Sequence, residues 1–211
     1  MCEVPPALAS HPDRLRWNAR YEGGAGRAFL AHPLAAEALS LQLPDGPVLE
    51  LASGPSGTAL LAAAAGRQVT AVDVSEVALG LLAAEARRRG IGQLLTLVHA
   101  DLESWRPQPG RYSLVLCTGY WDRPVFAPAA AAVAPGGLLG WEAFTEAARR
   151  ARPGLCAGWC LAPGEPASLL PAGFTILSQA GQPAEDRPGD QPGTRRSMLA
   201  RREAAADVPG H

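Results

Sequence analysis

Short apolar runs alternate with helix-like segments from residue 46 onward. The apolar runs cover residues 48–51, 68–73, 94–98, 112–117 and 138–144. Runs of this length, rich in Val and Leu, predict strands buried on both faces, and the Ala- and Leu-rich segments between them predict crossover helices. The pattern therefore predicts an α/β chain with a mostly parallel sheet and helices on both of its faces.

The predicted helices have recognisable ends. One helix is expected over residues 56–65, and the next begins after Ser75, a residue typical of helix N-caps, and ends at Gly90. A third is expected over residues 124–133, followed by an Ala-Pro-Gly-Gly turn at 134–137. These boundaries place each loop that follows a strand before a helix N-terminus.

The last third of the chain is less regular. Residues 145–162 fit neither period, whereas residues 174–178 and 196–200 predict two final strands. The Pro-, Gly- and Asp-rich segment 181–194 between these strands is long for a hairpin and predicts a mobile loop or a lid.

We expect a single domain over residues 1–202 and a flexible tail over 203–211. Residues 1–25 are predicted to precede the first helix and to form an N-terminal cover segment. Within them, Trp17 and Tyr21 flank an arginine, which favours a cover over a ligand. The alternative is a surface arm packed on the domain.

The amino-acid composition and the net charge of the chain limit the classes of function that it can have. The chain has 211 residues, is 47% hydrophobic, carries a formal charge of −1 and contains no lysine. Such a balance lacks the basic surface of a nucleic-acid binder and favours a small-molecule partner. The N-terminus lacks the pattern of a signal peptide, and the weakly polar run 124–141 is interrupted by prolines and glycines, so a cytoplasmic protein without a membrane span is expected.

The cysteines favour free thiols, with a zinc site as the alternative. Cys2, Cys117, Cys156 and Cys160 share no framework spacing and have no neighbouring histidine pair. We interpret them as free thiols in a reducing compartment.

Three of the predicted strands end in an acidic residue: Glu50, Asp73 and Asp101. Each acid alone is equally well explained as a turn or cap residue. Consecutive parallel strands present their carboxyl ends along one edge, where open α/β sheets bind ligands. The sequence therefore predicts a row of carboxylates at a ligand site.

The turn after the first strand separates two cofactor classes. A dinucleotide fingerprint needs G-x-G-x-x-G, whereas only Gly54 and Gly57 are present here. Glu50 is unfavourable beside a pyrophosphate but favourable beside an ammonium or sulfonium group. This difference favours S-adenosylmethionine over NAD.

The other two acids suit the nucleoside part of that cofactor. Asp73, acceptor-only when ionised, can take hydrogen bonds from two ribose hydroxyls. Asp101 can accept from the adenine amino group, with Val74 and Leu102 on the two faces of the purine. A sheet of this kind with three such acids predicts an adenosyl-binding site.

The chain resembles class I S-adenosylmethionine-dependent methyltransferases over nearly its whole length, and most of all the small bacterial tellurite-resistance type. The stretches that carry the resemblance are VLELASGPSG, VTAVDVSEVAL, HADLESW, YSLVLCTGYWDRPVF, APGGLLGWEAF and LAPGEPASLLPAGFTIL, with RWNARY and SMLARR near the ends.

This resemblance implies a Rossmann-like sheet of seven strands whose last strand is antiparallel. It also implies cofactor contacts that fall along the whole chain. The implied residues are Glu50, Ala52, Ser53, Gly54, Asp73, Asp101, Leu102, Cys117 near the methionine part, and Arg20 and Tyr21 closing over that part.

One departure from the family pattern lies in the first turn. Ser56 stands where the family usually has glycine, and Pro55 removes a backbone donor. Three consequences remain open: weaker binding, a hydrogen bond from the Ser56 hydroxyl to the cofactor carboxylate, or a domain that binds the cofactor without turnover.

The methyl acceptor is expected beyond the fourth strand. Tyr120 and Trp121 would wall a small pocket, Arg123 would hold an oxyanion, and Asp122 would orient the acceptor or take its proton. The alternative for Asp122 and Arg123 is the start of a helix.

The sequence thus predicts in-line methyl transfer to a small oxyanion, thiol or hydroxyl acceptor. A cofactor-binding module without turnover and an NAD(P)-dependent oxidoreductase remain alternatives. His32 and His99 are interpreted as structural, because the first precedes Pro33 and the second ends a strand. The sequence does not indicate an oligomeric state.

Overall fold

The computed structural model describes residues 4–23, 28–181 and 193–204. In these ranges the strands are β1 (Val48–Leu51), β2 (Val69–Asp73), β3 (Leu95–His99), β4 (Tyr112–Thr118), β5 (Val133–Thr145), β6 (Cys160–Leu161), β7 (Phe174–Ala180) and β8 (Arg195–Arg202). The helices are α1 (Pro12–Tyr21), α2 (Pro33–Ser40), α3 (Gly57–Ala64), α4 (Glu76–Arg88), α5 (Arg123–Ala132) and α6 (Ala148–Ala151).

The strands form one sheet in the order β3-β2-β1-β4-β5-β8-β7, and the two-residue β6 pairs with the end of β5. Strands β1 to β5 are parallel, whereas β8 is antiparallel to both β5 and β7. The predicted α/β class, with its mostly parallel sheet and antiparallel last strand, is confirmed.

The register aligns the carboxyl ends of the central strands. Leu51, at the end of β1, lies opposite Val72 on one side and Cys117 on the other, and Asp73 in β2 lies opposite His99 in β3. The loops that follow β1, β2, β3 and β4 therefore leave the sheet at the same edge.

Helices pack on both faces of the sheet. Apolar side chains of α2, α3 and α4 fill the core on one face, and those of α5 fill the core on the other. Hydroxyl groups fix the ends of two of these helices, because Ser56 accepts from the amide of Thr58 and Ser75 from that of Ala78.

Trp121 belongs to the second of these cores. It is 1% exposed and packs against Phe126 and Trp141, with ring centroids 5.7 and 5.8 Å away. Trp121 was predicted to wall a small pocket with Tyr120, whereas the structure places its ring in the core, away from the surface.

The structure corrects two further expectations, one about the N-terminal segment and one about the Ala-Pro-Gly-Gly turn. The segment expected to precede the first helix itself contains α1, whose N-terminal proline suits a first helical turn. The Ala-Pro-Gly-Gly sequence lies inside β5 and not before it: Val133 pairs with Tyr112 and Leu138 with Leu114, so the residues between them form a bulge.

The segment without a clear pattern contains α6, a 3-10 turn at Ala157–Trp159 and β6. Most of the predicted lid, residues 182–192, and most of the predicted tail, residues 205–211, lie outside the described residues. Within the described ranges, every helix is too short or too polar to cross a bilayer.

Candidate active site

Glu50 lies at the end of β1 with 2% of its surface exposed. Its Oε1 accepts a 2.7 Å hydrogen bond from the Ser56 hydroxyl, whereas its buried Oε2 has no hydrogen-bond partner within the described ranges. Burial raises the pKa of Glu50 to about 8, against the opposing effect of the Ser56 bond. A cationic ligand group at Oε2 would favour the ionised carboxylate and satisfy the free oxygen.

Asp73 is the last residue of β2, and its carboxylate accepts hydrogen bonds from the turn after β1 and from the turn after β2. Its Oδ2 accepts from the Gly54 amide at 2.7 Å, and its Oδ1 accepts from the Ser75 amide at 2.8 Å. Burial raises the pKa of Asp73, and these two amides act in the opposite direction. Each carboxylate oxygen keeps acceptor capacity after these bonds, so the side chain can still receive hydroxyl donors.

The turn between β1 and α3 has an unusual backbone. Ala52 has a φ of 48°, and Gly54 has a φ of 56°. The left-handed conformation is strained for alanine, and such strain is concentrated at functional sites. Ser53 adds a buried hydroxyl oxygen that lacks a hydrogen-bond partner among the described residues. The turn thus brings unsatisfied polar groups close to Glu50.

The hydroxyl group of Ser56 makes two hydrogen bonds within the protein that the glycine usual at this position could not make. Its oxygen accepts from the Thr58 amide at 2.9 Å, while its hydroxyl donates to Glu50. One side chain therefore caps α3 and orients the acid of the first turn. The donated hydrogen bond is directed to Glu50 within the protein.

Asp101 follows β3 in a more open position. Its side chain is 21% exposed, Oδ1 accepts from the Glu103 amide at 3.1 Å, and Oδ2 lies 3.8 Å from His11 Nε2. Leu102 is buried in the core below. Val74 is half-buried, and its carbonyl oxygen lies 3.0 Å from His99 Nε2.

Helix α1 lies over this edge. The Tyr21 hydroxyl oxygen lies 3.0 Å from the position that a Cβ atom on Gly54 would take. Tyr21 thus lies beside the turn after β1, whereas Arg20 is exposed, and their closing over the methionine part stays a prediction. Sequence reasoning missed Arg14 and Asn18, which bind Glu76 and Ser75. Their spacing of four residues was the available signal, since it puts both on one helix face.

Cys117 and Tyr120 lie at the end of β4. Burial, with the charge of Glu50, raises the pKa of the Cys117 thiol well above its usual range. Burial, with the charge of Asp122, likewise raises the pKa of Tyr120. Both groups therefore stay protonated near neutral pH, and neither serves as a base there.

Asp122 and Arg123 begin α5. Asp122 is the N-cap residue but its side chain makes no capping hydrogen bond, and burial together with Asp101 raises its pKa. Arg123 is 61% exposed and forms an ion pair with the buried Glu165 at 2.6 Å. The helix-start alternative thus describes their place in the fold, and Glu165 is a partner that sequence reasoning missed.

His32 is held in a buried polar group. Its Nδ1 accepts from the Leu34 amide at 3.2 Å, and its Nε2 lies 2.7 Å from Oε2 of Glu142. Arg195 donates to the other oxygen of Glu142 at 2.7 Å. Both ring nitrogens are engaged, so the interpretation of His32 as structural agrees with this geometry.

Among the described ranges, no group of three or more His, Cys, Asp or Glu side chains is placed to hold a metal ion. The polar groups of the site instead match an organic cation with hydroxyls. Glu50 offers a free buried oxygen, and Asp73 offers remaining acceptor sites. These residues fit S-adenosylmethionine, which carries an ammonium, a sulfonium and two ribose hydroxyls.

Comparison with known proteins agrees with this chemistry. Residues 48–137 match a family model described as "Methyltransferase domain". None of the curated proteins compared with the chain matches it.

Several solved structures share the fold. An S-adenosylmethionine-dependent methyltransferase from Mesorhizobium loti is 19% identical, with a TM-score of 0.62 over 79% of this chain and 96% of that one. The glycopeptide N-methyltransferase MtfA, complexed with S-adenosyl-L-methionine, is 18% identical with a TM-score of 0.55 over 79% and 86%. TehB from Haemophilus influenzae is 13% identical with a TM-score of 0.66 over 89% and 67%.

At these identities the structural likeness concerns the fold. Residues 48–137 therefore match a methyltransferase domain, and the chain shares its fold with solved S-adenosylmethionine-dependent methyltransferases.

Proposed function

We propose that this enzyme methylates a small-molecule acceptor, with Glu50 and Asp73 as the main cofactor ligands. The observation that carries the proposal is the buried, unpartnered Oε2 of Glu50 beside an Asp73 already fixed by two amides. When bound, S-adenosylmethionine would supply an electrophilic methyl group that passes in line to the nucleophile of the acceptor, with S-adenosylhomocysteine as the leaving group.

In this proposal Glu50 faces the ammonium group and Asp73 the ribose hydroxyls. The turn formed by Ala52, Ser53 and Gly54 borders the methionine part, together with Cys117. Asp101 accepts a hydrogen bond from the adenine amino group. Val74 and Leu102 lie on the two faces of the purine. The chain thus orients the donor through acceptor groups at consecutive strand ends.

The acceptor would lie beyond β4, beside Tyr120, Asp122 and Arg123. Since Tyr120 and Cys117 stay protonated, Asp122 is the proposed proton acceptor, and its raised pKa suits that role better than an ordinary aspartate. The ion pair with Glu165 holds Arg123 at the start of α5, and its exposed guanidinium retains donors for an oxyanion.

A small acceptor is supported by the near-neutral charge and by the fold neighbours. MtfA is a glycopeptide N-methyltransferase, and TehB shares the fold. We propose a small oxyanion, a thiol or a hydroxyl as the acceptor of this chain, the range that the sequence predicts.

The test combines binding with turnover. Calorimetry with S-adenosylmethionine and NAD separately is expected to give binding only for the former. Single-turnover methyl transfer is then measured against selenite, small thiols and phenols. Binding without transfer to any acceptor class would overturn the proposed acceptors, and binding of NAD alone would overturn the proposed cofactor ligands.

A further inference from the structure

Helix α1 contacts the ends of three adjacent strands in turn. His11, the N-cap of α1, lies 3.8 Å from Asp101, Asn18 accepts a hydrogen bond from Ser75, and the Tyr21 hydroxyl lies 3.0 Å from where a Cβ on Gly54 would be. A surface arm that packed only for burial would have no reason to meet each of these three turns. The same turns carry the proposed cofactor ligands, so α1 and the cofactor share one set of neighbours.

The middle contact reaches the ribose acid through a buried relay. The Ser75 hydroxyl donates to Asn18 Oδ1 at 2.7 Å, and the Ser75 amide donates to Asp73 Oδ1 at 2.8 Å. Asn18 is 7% exposed and Ser75 is fully buried. A buried hydrogen bond between side chains on separate elements fixes their relative position, because leaving either partner unsatisfied is unfavourable.

A second contact strengthens this docking. Arg14 Nε donates to Glu76 Oε2 at 2.9 Å, one residue after Ser75 and on the first turn of α4. Asn18 also hydrogen-bonds Glu76. Two side chains of α1 thus bind Ser75 and Glu76, which lie at the N-terminus of α4 and close to Asp73 in the chain.

We propose that α1 is the closing wall of the cofactor site and that Asn18 is a positioning residue for Asp73, acting through Ser75. The inference rests on the proposed cofactor ligands. Because Asn18 and Asp73 are joined through Ser75, loss of the Asn18 contact should loosen both α1 and the acid that receives the ribose hydroxyls. The strength of this contact therefore sets cofactor affinity and exchange rate, and it leaves the transfer step unchanged.

The test uses the full chain with Asn18→Ala, and Leu15→Ala as the matched control. Leu15 is on the same helix and 53% exposed, so its truncation changes the helix without touching the turns. For Asn18→Ala we expect the Kd for S-adenosylmethionine to rise about tenfold and its dissociation to accelerate similarly. At saturating cofactor, kcat and the acceptor KM should equal those of wild type.

A Kd within twofold of wild type for Asn18→Ala, or an equal loss in Leu15→Ala, would overturn the role of Asn18. A lowered kcat at saturation would also contradict it, since a wall residue acts on binding alone. If wild type itself fails to bind S-adenosylmethionine, the proposed cofactor ligands fail first.

Hydrogen exchange on wild type keeps the proposal testable if Asn18→Ala does not fold. Adding S-adenosylmethionine should slow exchange of the amides of α1 at least as much as those of the turn at residues 52–54. Protection of that turn with no change along α1 would show that the cofactor binds without this wall.

Discussion

The two halves of the proposed site are built differently. On the cofactor side, Glu50 and Asp73 are buried and bound to groups within 25 residues along the chain. On the acceptor side, Arg123 is mostly exposed and pairs with Glu165 from the irregular segment after β5. Local hydrogen bonds therefore hold the two cofactor acids, whereas the acceptor side depends on an ion pair between an exposed arginine and a distant buried glutamate. We infer that the first defines the enzyme class and the second the choice of acceptor.

The largest effect is expected from Asp73→Ala. The substitution removes the proposed ribose acceptor and also leaves the amides of Gly54 and Ser75 without their partner. Cofactor affinity should fall by ~1–3 kcal/mol, the scale for hydrogen bonds to a charged group. Calorimetry measures it, with Asp45→Ala as control, because Asp45 is exposed and precedes β1 at the opposite edge. Unchanged affinity in Asp73→Ala would remove Asp73 from the ribose site.

Glu50→Gln separates charge from shape on the cofactor side. With a folded pKa of about 8, wild-type Glu50 is mostly protonated at pH 6.5 and must release a proton to meet a cation. Wild-type affinity for S-adenosylmethionine should rise between pH 6.5 and 8, by at most about tenfold per pH unit, and stay flat in Glu50→Gln. Titrations across this range measure it, with the exposed Glu37→Gln as control. An equal rise of affinity with pH in wild type and in Glu50→Gln would contradict an ammonium contact at Glu50.

The same pKa predicts a stability effect of defined sign. Between its unfolded value of 4.5 and about 8, folded Glu50 holds a proton that the unfolded chain has lost. The free energy of unfolding of wild type should therefore decrease as pH rises through this window. Denaturant titrations of Glu50→Gln should show a shallower decrease.

The smallest effect is expected on the acceptor side. Arg123→Ala should lower turnover about fivefold, the scale for an exposed charge contact, with cofactor affinity unchanged. Glu165→Gln serves as the matched variant, since it removes the ion-pair charge while Arg123 remains. Retained turnover in Glu165→Gln would support an acceptor contact at Arg123. An equal loss in both variants would reduce Arg123 to a structural partner of Glu165.

Some of these features follow from the local sequence, whereas others depend on contacts between distant residues. Strand ends at Glu50 and Asp73, and the N-cap Ser75, follow from apolar runs and cap chemistry that act over a few residues. The place of Trp121 in the core did not follow, because its pattern is the same for a pocket wall and a buried ring. The contacts of Arg123 with Glu165 and of Asn18 with Ser75 join residues far apart in the chain. Local pattern does not identify these partners, since the spacing of Arg14 and Asn18 indicates only a shared helix face.

The sequence by itself determined the alternation of strands and helices, and with it the carboxylates that end consecutive strands. It could do so because strand burial, helix capping and the direction of parallel strands depend on short-range pattern. Tertiary structure alone decided which oxygen of Glu50 stays free and which helix face covers the edge. Those outcomes depend on burial and on hydrogen bonds between distant segments, which exist only after the sheet has brought the segments together.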